Sequence, residues 1–302
     1  MKRIAVLMGG LSSEREVSLQ SGKNVAEALM SLNKYDVIPV DIKEENLNAL
    51  PPNIDAVYIA LHGGWGEDGG VQDALNALKI PYTGPGLRAS QLAMDKIATK
   101  KALEAKGVPS AAWREVFEGD LSACPFPFPV VVKPPRDGSS VGITKCSTED
   151  EYRRGLQLAW SLDGKTRQPA VALVEAFIPG REFTVAVVGD QVWPVVEIVA
   201  KGGWYGYEEK YNSNETRYPF LEDHDLTQRL QKFALDAFRA LNCRGVTRVD
   251  FRVTPEGECF VLELNTSPGF TSHSLVPKSG MHLGLSFAEI CDQILQQADY
   301  DR

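Results

Sequence analysis

The chain has 302 residues, 43% hydrophobic and 24% charged, enough to bury the cores of two or three domains. Its 32 Lys and Arg against 40 Asp and Glu give a net charge of −8. That balance excludes broad binding to nucleic acid or anionic membranes, whose affinity rests on basic surfaces, and leaves open a local basic pocket for a small anion.

The opening MKRIAVLMGG has too short an apolar run for a signal peptide. No later run approaches the roughly 18 residues of a membrane-spanning helix, so a soluble, cytoplasmic protein is expected. A strand is predicted at Arg3 to Met8, a helix at Ser18 to Ser31, and strands at Tyr35 to Val40 and Ala56 to Leu61. A helix from Val71 to Leu78 and a short strand at Ile80-Pro81-Tyr82 complete a unit that reads as a parallel sheet with crossovers. One helix is expected from Leu87 to Lys106, then a strand at Val130 to Lys133, a helix at Thr148 to Trp160 and a strand at Ala170 to Glu175. Strands follow at Phe183 to Val188 and Val192 to Val199. Leu226, Leu230, Phe233, Ala237, Phe238 and Leu241 recur at helical spacing. A hairpin closes the pattern, Gly245 to Val253 and Glu258 to Asn265, turning at Thr254-Pro255-Glu256-Gly257. The five cysteines (Cys124, Cys146, Cys243, Cys259 and Cys291) are widely separated and read as reduced thiols.

Five segments carry candidate chemistry. In the hairpin, Val249, Phe251 and Val253 are expected on one face and Arg248, Asp250 and Arg252 on the other. On the partner strand, Phe260, Leu262 and Leu264 are expected to form the apolar face, leaving Glu263 and Asn265 beside Asp250. Two carboxylates and an amide oxygen suit Mg²⁺; a charge-balanced polar face is the alternative. In VVKPPRDGSSVGI a strand delivers Lys133 to a Gly/Ser turn of the kind whose N–H groups cradle phosphate, although it is no Walker A loop. Glu14, in LMGGLSSEREVS, can receive an ammonium group or merely cap a helix, and the absence of G-x-G-x-x-G speaks against a dinucleotide site. ALHGGWGEDGG ends a strand on His62 and a glycine-rich ligand loop. GWYGYEEKY reads as a lid or as a plain surface loop.

Taken in order, GGLSSEREVSL, LHGGWGEDG, YTGPG, MDK, KPPRDGSSVG, GREFTV, YEEKY, RVDF and ELNTSPGFTSHSLVPK resemble the D-alanine–D-alanine ligases, a branch of the ATP-grasp superfamily. The resemblance spans nearly the whole chain. It implies α/β and α+β units in a three-domain ATP-grasp fold with an N-terminal parallel-sheet (pre-ATP-grasp) domain. The expected boundaries are 1–88, 89–177 and 178–302. The implied reaction joins two D-alanines through a D-alanyl phosphate made from ATP, for peptidoglycan precursor synthesis. By the same likeness Asp250, Glu263 and Asn265 hold two Mg²⁺ ions (Mn²⁺ can substitute), and Lys96, Lys133 and Lys210 contact phosphates. Glu175, Ala176, Phe177 and Ile178 receive adenine, and Glu182 the ribose. Glu14 takes the first substrate's ammonium, linked to Ser139 and Tyr211, and His62 lies near its carboxylate. Arg248 and Gly269 stabilise the oxyanion, while Ser274 and Leu275 take the second substrate's carboxylate. A homodimer is also implied.

Three residues depart from the pattern: Phe177 where the family often has tryptophan, Phe270 for methionine, and Trp65 in a variable part of its loop. Two rivals remain. A depsipeptide ligase is disfavoured by Tyr211, where ester-forming relatives tend to carry phenylalanine. An inactive nucleotide-binding homologue is disfavoured by the intact metal ligands, lysines and Arg248.

Overall fold

A computed structural model describes residues 1–120, 122–138, 141–165, 168–200, 215–271 and 274–302 of the protein. Its first part alternates strand and helix: β1 (Lys2–Gly9), α1 (Arg15–Ser31), β2 (Tyr35–Ile42), β3 (Ala56–Ile59) and α2 (Gly70–Leu78). The strands form a parallel sheet of order β2-β1-β3. Helix α1 presses close to β1 because Gly22 has no side chain; a Cβ there would stand 2.4 Å from the Met8 Cβ. The strand expected at Ile80-Pro81-Tyr82 shrinks to isolated bridges at Tyr82, parallel to Val57 on one side and antiparallel to Asp299 on the other. Pro81 has no N–H to extend the ladder, and the Tyr82 N–H goes to the Asp299 carbonyl instead.

The single helix expected over Leu87 to Lys106 is two helices, α3 (Leu87–Met94) and α4 (Lys96–Ala105). Asp95 breaks it: its backbone is extended (ψ 101°), and its carboxylate accepts the Ile97 and Ala98 N–H groups as the N-cap of α4. Strands β4 (Trp113–Phe117), β5 (Val130–Lys133) and β6 (Thr144–Cys146), helix α5 (Glu149–Asp163) and strand β7 (Val171–Ala176) follow. They build an antiparallel sheet of order β4-β7-β5-β6. On one face Val130, Val132, Ala172 and Val174 pack against Tyr152, Leu156 and Ala159 of α5. On the other, Val171 and Leu173 meet Ile97 of α4.

The third sheet contains β8 (Arg181–Val188), β9 (Gln191–Val192), β10 (Val196–Ile198), β11 (Val246–Val253) and β12 (Cys259–Asn265). Its order is β10-β8-β11-β12, with β9 paired to β8. The expected strand from Val192 to Val199 is interrupted at 193–195, where Pro194 has no N–H for a ladder. Helix α6 (His224–Ala240) lays Leu226, Leu230, Ala234, Ala237 and Phe238 on the sheet. Helices α7 (Leu275–His282) and α8 (Phe287–Leu295) end the chain. Ile290, Cys291, Ile294 and Leu295 of α8 share one core with Ile4, Val6, Val25 and Leu29, so the chain's end packs on its beginning. No helix among the described residues is long and apolar enough to cross a membrane.

One expectation in the hairpin needs correction. Phe260, Leu262 and Leu264 do not form one apolar face; Cys259, Val261 and Leu264 enter the core instead. The register explains this, because Val261 pairs with Phe251 while Glu263 pairs with Asp250, leaving Leu262 as the extra residue of a β-bulge. Strict alternation from Val261 would point Glu263 inward. The bulge resets the period and turns Glu263 and Asn265 to the side of Asp250 and Arg248.

Candidate active site

The polar face of this hairpin meets the β4-β7-β5-β6 sheet at a cleft lined by Lys133, Glu175, Phe177, Glu182, Asp250 and Glu263 among others. Alternation explains the lining. Val131 and Lys133 of β5 point the same way as Glu175 of β7, away from α5, and the third sheet offers Glu182, Thr184, Asp250 and Arg252 opposite.

At the deep end, Glu175 forms ion pairs with both Lys100 and Lys133. Glu175 and Lys100 are almost wholly buried, at 2% exposure each. Burial opposes the charged carboxylate, but the two lysines outweigh it and bring the Glu175 pKa down to about 2. At Lys100 burial wins and its pKa falls, with Glu175 pulling upward and Lys133 adding to the decrease. Phe177 follows on the chain; the Lys145 ammonium sits 3.9 Å from its ring centroid and the Arg252 guanidinium 5.7 Å. Arg252 also donates to Glu182 (3.2 Å) and to the Ile178 carbonyl (3.3 Å), locking the segment after β7 to β11. Ala176 and Phe177 use their own N–H groups on the carbonyls of Ala112 and Pro129.

At the hairpin, Arg248 donates to both oxygens of Asp250 (2.9 and 2.7 Å), and the Thr184 hydroxyl adds a third bond at 2.6 Å. Asp250 stands opposite Glu263, and Arg248 opposite Asn265. Asp250, Glu263 and Asn265 are all hard oxygen donors on one face. No group of three or more His, Cys, Asp or Glu is gathered there or elsewhere among the described residues. Such a set fits a Mg²⁺ ion that completes its shell with water and phosphate oxygens, and does not fit a metal caged by protein alone. Lys96 opens α4; its ammonium donates to the Asp137 carbonyl at 2.6 Å and its N–H to that of Pro135, so it meets the turn that follows Lys133.

A second recess, lined by Ser12, Leu61, His62 and Gly63 among others, lies at the N-terminal sheet. Glu14 precedes α1 with its Oε2 against Gly63; a Cβ there would stand 2.9 Å away, and Gly63 has a φ of +68° that favours glycine. The Ser12 hydroxyl donates to the His62 carbonyl (2.5 Å) and accepts the Glu14 N–H (3.2 Å), which draws the loops after β1 and β3 together. His62 is buried. Its pKa is lowered by burial, offset in part by Glu14 and by its bond to the Ser267 carbonyl. Gly269 lies next to Ser274: a Cβ on it would be 2.8 Å from the Ser274 Oγ. That hydroxyl accepts the Thr271 N–H at 2.9 Å, and Leu275 begins α7 with its side chain buried. Trp65 packs over Gly70, and Phe270 meets Tyr58 edge-on at 5.7 Å between ring centroids, so both act in packing.

Ser139, Lys210 and Tyr211 lie outside the described residues. Three residues of the site had escaped the sequence reading. Lys100 shares the buried face of α4 with Ile97 and Leu103, a placement lysine rarely takes without a partner. Ser21 lies on the buried stripe of α1, with Ser18, Val25 and Leu29. Glu67 belongs to the glycine loop. Its pKa rises to about 8, first through burial and then through Glu14 and Glu263, against the Gly63 N–H and Arg248.

Glu67 yields a pH prediction. Its folded-state pKa lies above the ordinary 4.5, so the contribution of Glu67 to stability is greatest below 4.5 and declines as pH rises toward 8. Glu67→Gln should therefore gain on the wild type by on the order of 1 kcal/mol between pH 5 and pH 9, a modest figure because part of the side chain still meets solvent. Thermal melts of both proteins across that range check it; a constant difference in Tm would mean that Glu67 is ionised throughout.

Comparison with known proteins gives this geometry its context. Residues 103–296 match the family model of the D-ala D-ala ligase C-terminus, and residues 3–50 and 45–85 that of the N-terminus. A D-alanine–D-alanine ligase of Herminiimonas arsenicoxydans is 43% identical, with 98% of this chain and 91% of that one aligned. One from Bordetella pertussis is 44% identical, covering 98% and 95%. Among solved structures, a D-alanine–D-alanine ligase from Bacillus anthracis complexed with ATP superposes at a TM-score of 0.86 and 31% identity, covering 98% and 97%. A D-Ala:D-Ser ligase from Enterococcus faecalis follows at 0.82 and 30%, covering 98% and 99%. The fold is the ATP-grasp fold of these enzymes, with its N-terminal parallel sheet. The chain belongs to the D-alanine–D-alanine ligase family.

Proposed function

We propose that the protein joins two D-alanines, consuming ATP and releasing ADP and phosphate, to supply a peptidoglycan precursor in the cytoplasm. The observation that carries the reading is the opposition of Asp250 and Glu263 in a cleft shared with Lys133, Glu175 and Phe177. The chain would be organised as units 1–88, 89–177 and 178–302 and assemble as a homodimer. Adenine would lie by Glu175, Ala176, Phe177 and Ile178, with the ribose at Glu182. Lys96, Lys133 and Lys210 would meet the phosphates. Asp250, Glu263 and Asn265 would hold two Mg²⁺ ions, or Mn²⁺, which supply charge neutralisation for phosphoryl transfer.

Glu14 would hold the first D-alanine by its ammonium, with Ser139 and Tyr211 linked to it and His62 near the carboxylate. That carboxylate attacks the γ-phosphorus; an acyl phosphate forms and ADP departs. The second D-alanine would dock its carboxylate at Ser274 and the start of α7. Its amine, once deprotonated, attacks the acyl carbon. Arg248 and the Gly269 N–H would stabilise the oxyanion, and phosphate leaves. Arg248 is suited to this task because its bidentate bond to Asp250 fixes its fork in advance.

The test is a mass-resolved product assay with ATP and Mg²⁺, offering D-alanine, L-alanine, D-serine and D-lactate in competition. D-Ala-D-Ala with matching ADP release is expected. Mostly D-Ala-D-Ser or depsipeptide near neutral pH would change the second substrate, and nucleotide binding without any ligated product would overturn the reading.

A further inference from the structure

The 267–270 turn is tied to the N-terminal domain by a chain of hydrogen bonds through one serine. The Phe270 N–H donates to Ser21 Oγ (3.2 Å), Ser21 Oγ lies 3.0 Å from His62 Nε2, and His62 Nδ1 lies 3.1 Å from the Ser267 carbonyl. Chemistry fixes the direction of every link. A carbonyl can only accept, so Nδ1 carries the imidazole proton. Burial disfavours a second proton on His62, which is 4% exposed, so Nε2 accepts and the Ser21 hydroxyl donates to it. Ser21, fully buried, thus keeps its lone pairs turned to Phe270. Two further bonds clamp the same turn: Ser267 Oγ donates to the Leu61 carbonyl at 2.6 Å, and the Asn24 amide to the Phe270 carbonyl at 3.1 Å.

We propose that Ser21 is a positioning residue for acyl transfer: its hydroxyl, directed by the acceptor Nε2 of His62, orients the Gly269–Phe270 peptide beside Ser274. This rests on the ligase reading for its kinetic consequence, but the tautomer itself does not. Apart from the direct bond of His62 Nδ1 to the Ser267 carbonyl, the other bonds to the turn run from Ser267 to Leu61 and from Asn24 to Phe270 and do not involve His62. Among the described residues, Ser21 alone joins the histidine's acceptor nitrogen to the backbone of the turn. Replacing it by alanine removes a single oxygen, so packing is nearly preserved. The Phe270 N–H and the His62 Nε2 both lose their partner. The turn then relaxes by fractions of an ångström next to the oxyanion site, where such shifts are costly to rate.

The experiment combines ¹⁵N NMR of the histidine rings, without substrate, with initial-rate kinetics of Ser21→Ala and Ser21→Thr. In the wild type and in Ser21→Ala alike His62 should carry its proton on Nδ1, because the Ser267 carbonyl can only accept, while the Nε2 resonance should move toward that of an acceptor nitrogen without a donor once the Ser21 hydroxyl is gone. Ser21→Ala should lose about 10²-fold in kcat/KM for the second D-alanine, while the ATP KM moves less than about twofold. Ser21→Thr, which retains the hydroxyl, should recover most of that loss. A wild-type proton on Nε2, unchanged kinetics in Ser21→Ala, or equal impairment of both variants would overturn the proposal. Failure of the wild type to make D-Ala-D-Ala would instead sink the ligase reading, leaving the tautomer result to decide the Ser21–His62 link.

Discussion

Glu263→Gln and Asp250→Asn are each expected to lower kcat by about 10³-fold, because each removes a negative oxygen donor from the face that would hold Mg²⁺ against the phosphates. Their stabilities should differ. Asp250 accepts three bonds, two from Arg248 and one from Thr184, and is 5% exposed. Asparagine keeps the shape but presents an NH₂ to a guanidinium that cannot accept, so Asp250→Asn should cost about 1–3 kcal/mol. Glu263 is only half-buried, and Gln at that position should melt within about 1 kcal/mol of the wild type. Turnover measured at saturating Mg²⁺, together with thermal melts, separates the two effects. Near-normal turnover in both variants would remove the metal assignment. Loss of turnover that tracked loss of fold would reduce Asp250 to an anchor for Arg248.

Much of the fold was legible because it follows local period. Strand β1 is one continuous apolar run, α1 and the α6 stripe follow helical spacing, and the structure places them and β2 within a few residues of expectation. Legibility failed where one residue changes the rule. Asp95 looks like any polar helix residue until its carboxylate turns to cap the next helix. The extra residue at Leu262 is invisible to alternation read on one strand, since a bulge is defined only by its partner. Strand β4 and helices α7 and α8 carried no expectation at all. In the site, Asp250, Glu263 and Asn265 were readable because the hairpin pattern put three oxygen donors on one face. Lys100, Ser21 and Glu67 were not, since what distinguishes them is burial against distant segments, and no neighbour in the chain announces that.

Glu175→Gln is expected to cost about 3–5 kcal/mol of folding stability, more than loss of either lysine alone. One carboxylate here serves two ammonium groups; Lys100 is 2% exposed and the Lys133 side chain 11%. Removing a lysine leaves a one-to-one pair, whereas removing the carboxylate leaves two cations facing each other in a poorly solvated wall. The wild-type pH dependence sets the scale. The Glu175 pKa is lowered from 4.5 to about 2. Its contribution is therefore complete above 4.5 and lost as pH falls toward 2, worth about 3 kcal/mol. In Glu175→Gln that acid-side loss should vanish. A base-side gain should replace it: with the counter-charge gone the Lys100 pKa falls further, so the folded state sheds its proton earlier than the unfolded chain and stability rises with pH. Urea unfolding at several pH values between 2 and 10 measures both slopes. A variant as stable as the wild type at pH 7, with no rise toward pH 10, would mean that Lys100 and Lys133 do not depend on Glu175. The wall of the cleft would then be held by Val131, Leu173 and Ile97 packing alone.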